Sequence, residues 1–197
     1  MSKVSGAQLL VECLAHEGIE LVFGIPGLHN MPIYDALYRH PTIQNVVVRH
    51  EQGAAFMADG YARAGDRIAA VMPLPGPGVT NAYTGLAEAY TDSSPVLLLA
   101  TQVNRADIDQ RKGKLHELTG QFEIVEPITK FSARVTSAQA IPELVHQAVH
   151  SLRNGRPRPV QLEIPRDVEL EMMDRTAVTL PPRARRERVC APEGQVS

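Results

Sequence analysis

The chain has no apolar run approaching the roughly 18 residues that a membrane-spanning helix needs. Its start, Met1-Ser2-Lys3-Val4-Ser5, leads into no long apolar core of the signal-peptide kind. These two absences predict a cytoplasmic protein that does not engage a membrane. A charge of one sign is lacking too: 20 basic against 22 acidic residues give a net charge of −2, which leaves no electrostatic footprint for nucleic acid. Cysteine is scarce. Cys13 falls on an expected helix face and Cys190 in a polar stretch near the end, without metal-ligand spacing or a pairing partner nearby, so both read as free thiols. No metal site is expected, and there is no internal repeat. Neither the Walker pattern with its lysine nor Gly-x-Gly-x-x-Gly occurs, which removes two common phosphate loops.

What is present suits one domain with a proper core: 197 residues, 44% of them hydrophobic. Ser5 with Gln8 forms a capping-box pattern that opens a helix through about His16, stopped by Gly18. Leu21-Val22-Phe23 is a short strand, and a helix follows from near Asn30, with Pro32 in its first turn, to His40-Pro41. A strand near Val46, a helix from Glu51 closed by Gly65, a strand Ile68–Met72 and a helix Gly78–Tyr90 come next. Val96–Ala100 is unbroken apolar sequence, a strand buried on both faces. Asn104–Lys114 has no period and reads as a surface loop of functional length. A helical turn at Gly120–Val125 and an extended Lys130–Val135 follow. Thr136 with Gln139 repeats the capping-box spacing for a helix through Leu152, with Asn154-Gly155 as its stop, and Val160–Ile164 is the last strand. Alternating strands and helices predict an α/β, doubly wound, mainly parallel sheet with helices on both faces. This domain is expected over residues 1–165, and 166–197 as a linker, with Arg183, Arg185, Arg186 and Arg188 as a solvated basic run.

The most telling stretch is Val46-Val47-Val48-Arg49-His50-Glu51-Gln52-Gly53-Ala54-Ala55, because it carries a carboxylate from the end of a buried strand onto a helix start lined with small residues. In open α/β sheets ligands bind in the crevice beyond the carboxyl ends of the strands, where Glu51 would sit. The alternative is a carboxylate that complements the helix dipole, worth about 0.3–1 kcal/mol. Gly24-Ile25-Pro26-Gly27 and Gly76-Pro77-Gly78 likewise follow strands and explain themselves as turns. Pro77 lacks an amide hydrogen, so the second is a poor phosphate cradle.

Taken in order, Gly24-Ile25-Pro26-Gly27, Pro32 to Tyr38, His50 to Ala55, Ala58-Asp59-Gly60-Tyr61-Ala62-Arg63, Gly76-Pro77-Gly78 with Thr80-Asn81, and Gln102-Val103 closely resemble the amino-terminal pyrimidine-binding domain of thiamine-diphosphate enzymes of the acetolactate-synthase type, over about residues 5–165. The resemblance implies that Ile25, Pro26, Gly27, Pro77 and Asn81 line the cofactor's pyrimidine pocket and that Glu51 hydrogen-bonds the pyrimidine ring nitrogen. That bond favours the tautomer through which the cofactor deprotonates its own thiazolium, and it works best on a partly desolvated carboxyl group. Gly53, Ala54 and Ala55 would let the flat ring approach, or serve close helix packing. His29 and His116 are implied to face the substrate. Leu115-His116-Glu117 stands where acetolactate synthases carry Phe-Gln-Glu and pyruvate-decarboxylase-like enzymes a His-His pair, and Leu74-Pro75 where members often carry Thr-Ser.

In this family magnesium and the diphosphate belong to a second domain with a Gly-Asp-Gly motif, which does not occur in this sequence. The resemblance therefore implies a domain that needs a diphosphate-binding domain, of the same or another chain, and that is inactive alone. Homodimerisation is expected. The implied reaction is acetolactate-synthase-like carboligation of a 2-oxo acid, with decarboxylation, including by one subunit of a split enzyme, as the alternative; a non-catalytic binding module is the alternative of another class.

Overall fold

A computed structural model describes residues 3–187. In chain order the elements are β1 (Lys3–Ser5), α1 (Gly6–Glu17), β2 (Leu21–Gly24), α2 (Met31–Arg39), β3 (Gln44–Val47), α3 (Glu51–Arg63), β4 (Ala69–Met72), α4 (Pro77–Thr91), β5 (Val96–Gln102), α5 (Gln121–Val125), β6 (Phe131–Arg134), α6 (Ile141–Arg153), β7 (Val160–Pro165), α7 (Arg166–Leu170) and β8 (Met172–Asp174). Six strands form one sheet in the order β3-β2-β4-β5-β7-β6, every neighbouring pair parallel. The expected doubly wound α/β fold is what forms.

Side-chain alternation along β5 shows why helices must cover both faces. Leu97 and Leu99 enter the core shared with α1, α2 and α6, whereas Val96, Leu98 and Ala100 enter the core shared with α3 and α4. The second core is built of small residues. A Cβ placed on Gly85 of α4 would lie 2.6 Å from the Ala55 Cβ of α3, so the two helices touch nearly backbone to backbone. Gly85→Ala is expected to force them apart at a cost of about 1–3 kcal/mol, read as a lowered urea midpoint with unchanged slope.

Local chemistry sets the helix ends. The Ser5–Gln8 capping box forms as expected, and Gly18 terminates α1 in the left-handed conformation at φ 81°. The expected Thr136–Gln139 box does not form. A single 3-10 turn, Ala138–Ala140, precedes α6, whose start has no side-chain cap. The Glu171 carboxylate accepts the Ala138 amide at 2.7 Å, so a residue distant in sequence serves the first donor of this 3-10 turn.

Within the described residues, the expected linker packs onto the domain. β8 pairs antiparallel with β1, Lys3 opposite Asp174, and Val168 and Ala184 are buried in the first core. Arg175 bonds Glu12 at 2.9 Å, and Ala184 donates its amide to Glu17 at 2.9 Å. The segment lacked a visible period because three-residue strands and single inserted side chains leave none. Of the basic run, Arg183 donates to the Glu17 carbonyl at the end of α1, and Arg186 lies 3.5 Å from Asp66; Arg188 and Cys190 lie outside the described residues. Arg67, Arg153, Arg183 and Arg186 line a cavity of about 290 Å³ at the amino ends of the strands. Arg153 and Arg183 both serve the Glu17 carbonyl there, so these guanidinium groups satisfy a helix end. Cys13 is buried, which pushes its thiol up to about 12. Among the described residues no helix is long and apolar enough to cross a membrane.

Candidate functional site

The sheet order reverses direction between β2 and β4: the chain leaves β2 for β3 on one side and β4 for β5 on the other. Such a switch point opens a crevice at the carboxyl ends of the two strands. Ile25–Gly27 leaves β2 at this place, Glu51 follows β3, and the Gly76-Pro77 turn follows β4. The three segments singled out in the sequence therefore meet on one rim of the sheet.

Glu51 is only 8% exposed. Its Oε2 accepts from Asn81 Nδ2 at 3.0 Å, and Oε1 lies above Gly78, where any Cβ would stand 3.2 Å from it. The carboxylate thus has one oxygen held by α4 and one without a hydrogen-bond partner among the described residues. His50 does not bond Glu51; it caps α3 by accepting the Gln52 amide at 3.2 Å. Tyr34 lies near enough to Glu51 that burial, and then the carboxylate charge, push its phenol up.

The β2 exit is braced by a residue that the sequence reading treated only as a helix start. Asn30, fully buried, accepts the Gly27 amide at 2.8 Å and donates to the Ile25 carbonyl at 3.0 Å. An Asn three residues after the closing glycine of Gly24-Ile25-Pro26-Gly27 is the available signal for this side-chain turn mimic. Ile25 is half-buried, Pro26 exposed, and Pro77 exposed at the first turn of α4, where its missing amide hydrogen is no loss.

Ala54 and Ala55 do not line the crevice. Both are fully buried against α4, so helix packing is their role, while Gly53 faces open space with nothing within 4 Å of an added Cβ.

His29 and His116 come together, with ring centroids 5.7 Å apart and planes tilted by 38°. The Nδ1 of each is buried without a hydrogen-bond partner among the described residues. Burial, then the neighbouring His116 and Arg166, lower the pKa of His29, which keeps it neutral. His116 sits in the left-handed region at φ 59°, and its carbonyl oxygen would stand 2.4 Å from a Cβ on Gly76. The loop after β5 thereby reaches back over the turn after β4. Leu28, His29, Lys114, Leu115 and Arg166 line a cavity of about 190 Å³ beside it. Glu169, on the same short helix as Arg166, is buried with both carboxylate oxygens unpartnered among the described residues, and burial pushes its carboxyl well above the usual range. No group of three or more metal-binding side chains occurs among the described residues.

A buried carboxylate braced by an amide at a switch point, beside a turn closed by glycines, defines a cofactor-binding α/β domain. Residues 4–124 match the family model described as "Thiamine pyrophosphate enzyme, N-terminal TPP binding domain". The chain belongs to this family. It is 40% identical over 164 residues to the acetolactate synthase large subunit of Lactococcus lactis, covering 83% of this chain and 28% of that protein. It is 42% identical over 165 residues to the "Probable 2-ketoarginine decarboxylase" of Pseudomonas aeruginosa, 84% of this chain and 29% of that one. To the acetolactate synthase isozyme 3 large subunit of Escherichia coli it is 40% identical over 168 residues, 85% and 29%. The chain therefore spans less than a third of the length of these relatives.

Proposed function

We propose that this domain binds the pyrimidine half of thiamine diphosphate in an enzyme that forms a bond next to the carbonyl of a 2-oxo acid, as acetolactate synthases do. The observation that carries the proposal is the Glu51 carboxylate, 8% exposed, with Oε2 fixed by Asn81 and Oε1 open over Gly78. Bound there, thiamine diphosphate would supply the carbon nucleophile that attacks the oxo acid. Glu51 holds or shares a proton with the pyrimidine ring nitrogen, in a site dry enough that water does not dilute the bond. Gly78 keeps the ring's approach free of a side chain, and Ile25 with Pro77 supply apolar walls. The Asn30 brace keeps the Ile25–Gly27 wall in place.

A second reading, decarboxylation, is favoured by the His29–His116 pair, two imidazoles beside the crevice able to bind a carboxylate or move a proton. In either reading magnesium and the diphosphate are held by a separate diphosphate-binding domain, and this chain alone is inactive. Leu28 just before α2, Met31 at its start, Val47 at the end of β3, and Phe56 and Met57 on α3 are each more than two-fifths exposed, apolar surface suited to that domain or to a second copy of this chain. A cytoplasmic location completes the reading.

The free aminopyrimidine, 4-amino-5-hydroxymethyl-2-methylpyrimidine, tests the pocket without the diphosphate domain. Titrated into the chain and followed by NMR, it is expected to bind in the millimolar range and to shift resonances at Gly27, Glu51 and Gly78, with Glu51→Gln weakening binding by about tenfold. Shifts scattered away from the switch point, or none, would refute the pocket.

A further inference from the structure

Behind the pocket lies a network of side chains that the proposed chemistry does not use. Gln121, the first residue of α5, is 1% exposed, and every polar atom of its amide is engaged. Its Oε1 accepts the Gly76 amide at 2.6 Å, and its Nε2 donates to the Thr101 carbonyl at 3.1 Å and to Glu163 Oε1 at 3.0 Å. Glu163, fully buried on β7, also accepts from Gln102 Nε2 at 3.1 Å on Oε1 and from Arg134 Nε on Oε2. The chain of bonds runs from the edge strand β6, across β7 and β5, to the turn after β4.

Gly76 is where that chain ends, and it needs holding. Its backbone, φ 59° and ψ −110°, is a conformation open essentially to glycine, so the turn has little intrinsic preference of its own. On its other side the His116 backbone is seated where a Cβ would go. Gln121 follows His116 closely in sequence, through Gly120 at φ 70°, so one residue fixes the turn and anchors the end of the loop packed on it.

We infer that Gln121 is a positioning residue that ties the Gly76 turn and the His116 loop to the buried Glu163, so that the pyrimidine wall and the substrate-facing histidine are set as one unit. Its consequence for ligand affinity rests on the proposed pyrimidine site; the mechanical coupling does not. Gln102 supplies the comparison, because it bonds the same Glu163 and the Val103 amide but, among the described residues, makes no side-chain hydrogen bond to Gly76 or to residues 112–120.

The experiment compares Gln121→Met and Gln102→Met by hydrogen exchange of segments 72–80 and 112–120, by thermal melting, and by aminopyrimidine titration. Both variants are expected to melt earlier. Only Gln121→Met is expected to speed exchange in both segments and to weaken pyrimidine binding, each by about tenfold or more, the order set by one lost buried hydrogen bond. Equal exchange in the two variants overturns the coupling. If wild-type protein binds no pyrimidine, the pocket reading fails while exchange still decides the coupling.

Should Gln121→Met not fold, Gln121→Glu decides. Protonated, its carboxyl keeps two of the amide's three bonds, accepting from Gly76 and donating to Glu163 while giving up the bond to the Thr101 carbonyl; ionised, it faces the Glu163 carboxylate, with Arg134 the charged group beyond. Protection factors of 72–80 are therefore expected to be wild-type at low pH and to collapse as pH rises, in this variant alone. A turn equally protected across that range would refute the role.

Discussion

Glu51→Gln is expected to lower turnover of the assembled enzyme, this domain with its diphosphate-binding partner, by about 10²–10⁴-fold, the range for losing a positioned proton donor or acceptor. Gln matches Glu in size. Its amide oxygen would turn toward the Asn81 NH₂, the donor now 3.0 Å from Oε2, and leave the NH₂ on the side over Gly78. The variant would still offer a hydrogen bond to the ring, but could neither release nor take up a proton at that place. Cofactor affinity should therefore fall far less than turnover, and the melting temperature should hardly move. Steady-state kinetics, cofactor titration and a melt of the same preparation check all three. Turnover within a few-fold of wild type would exclude the proposed chemistry and leave a domain that binds without catalysing.

Arg134→Met carries the largest expected effect on stability. Glu163 is fully buried, and Arg134, its cationic partner, is 32% exposed at the side chain. Removing one member of a buried pair costs about 3–5 kcal/mol; the exposure of Arg134 and the two amides that remain on Glu163 place this change near the lower end. Burial raises the pKa of Glu163, opposed by Arg134 and then by Gln121 and Gln102. Without Arg134 the folded-state pKa rises further. A carboxyl group whose folded pKa lies above its unfolded value gives its full stability below the unfolded value, near 4.5, and loses it as pH rises from there toward the folded pKa. The stability gap between variant and wild type should thus be smallest at about pH 4 and widen toward neutrality, measured by urea unfolding across pH. A gap independent of pH would mean that Glu163 is not the group left unpaired.

These two residues differ sharply in how visible they are in the sequence. Glu51 stands at the join of a β-branched strand and a small-residue helix, and local pattern carries it to the strand's carboxyl end, although that strand, expected to be buried, is the half-exposed edge strand β3. The capping box of α1 and the doubly buried β5 are likewise local, and form as read. Motif order brought Ile25, Pro26, Gly27, Pro77 and Asn81 to the same rim, yet the Asn81–Glu51 bond spans a separation that no periodicity encodes. Gln121 and Glu163 lay hidden for the same reason. A polar residue in an apolar strand, as Glu163 is in Val160-Gln161-Leu162-Glu163-Ile164, announces a buried partner without naming it. The start of α6 lies later than the capping-box spacing predicts because a 3-10 turn, its Ala138 amide held by Glu171 folded back from beyond β7, occupies the place of the first helical turn. The ordered run after Pro165 escaped because its strand is too short for a period to show.

The antiparallel pairing of Lys3–Ser5 with Met172–Asp174 has a topological consequence. The fold's point of entry and its point of return are a single place on the surface, held side by side by a ladder outside the main sheet. Residues 175–187 run on from this ladder and pack back against α1, so the ladder is a seam between the first strand and the segment that returns to cover the first core. Only α7 separates this seam from the rim, because its Arg166 lines the cavity beside His29 while its Val168 carbonyl lies against Gly6 at the start of α1, so a force applied at the seam reaches the paired imidazoles through a single short helix.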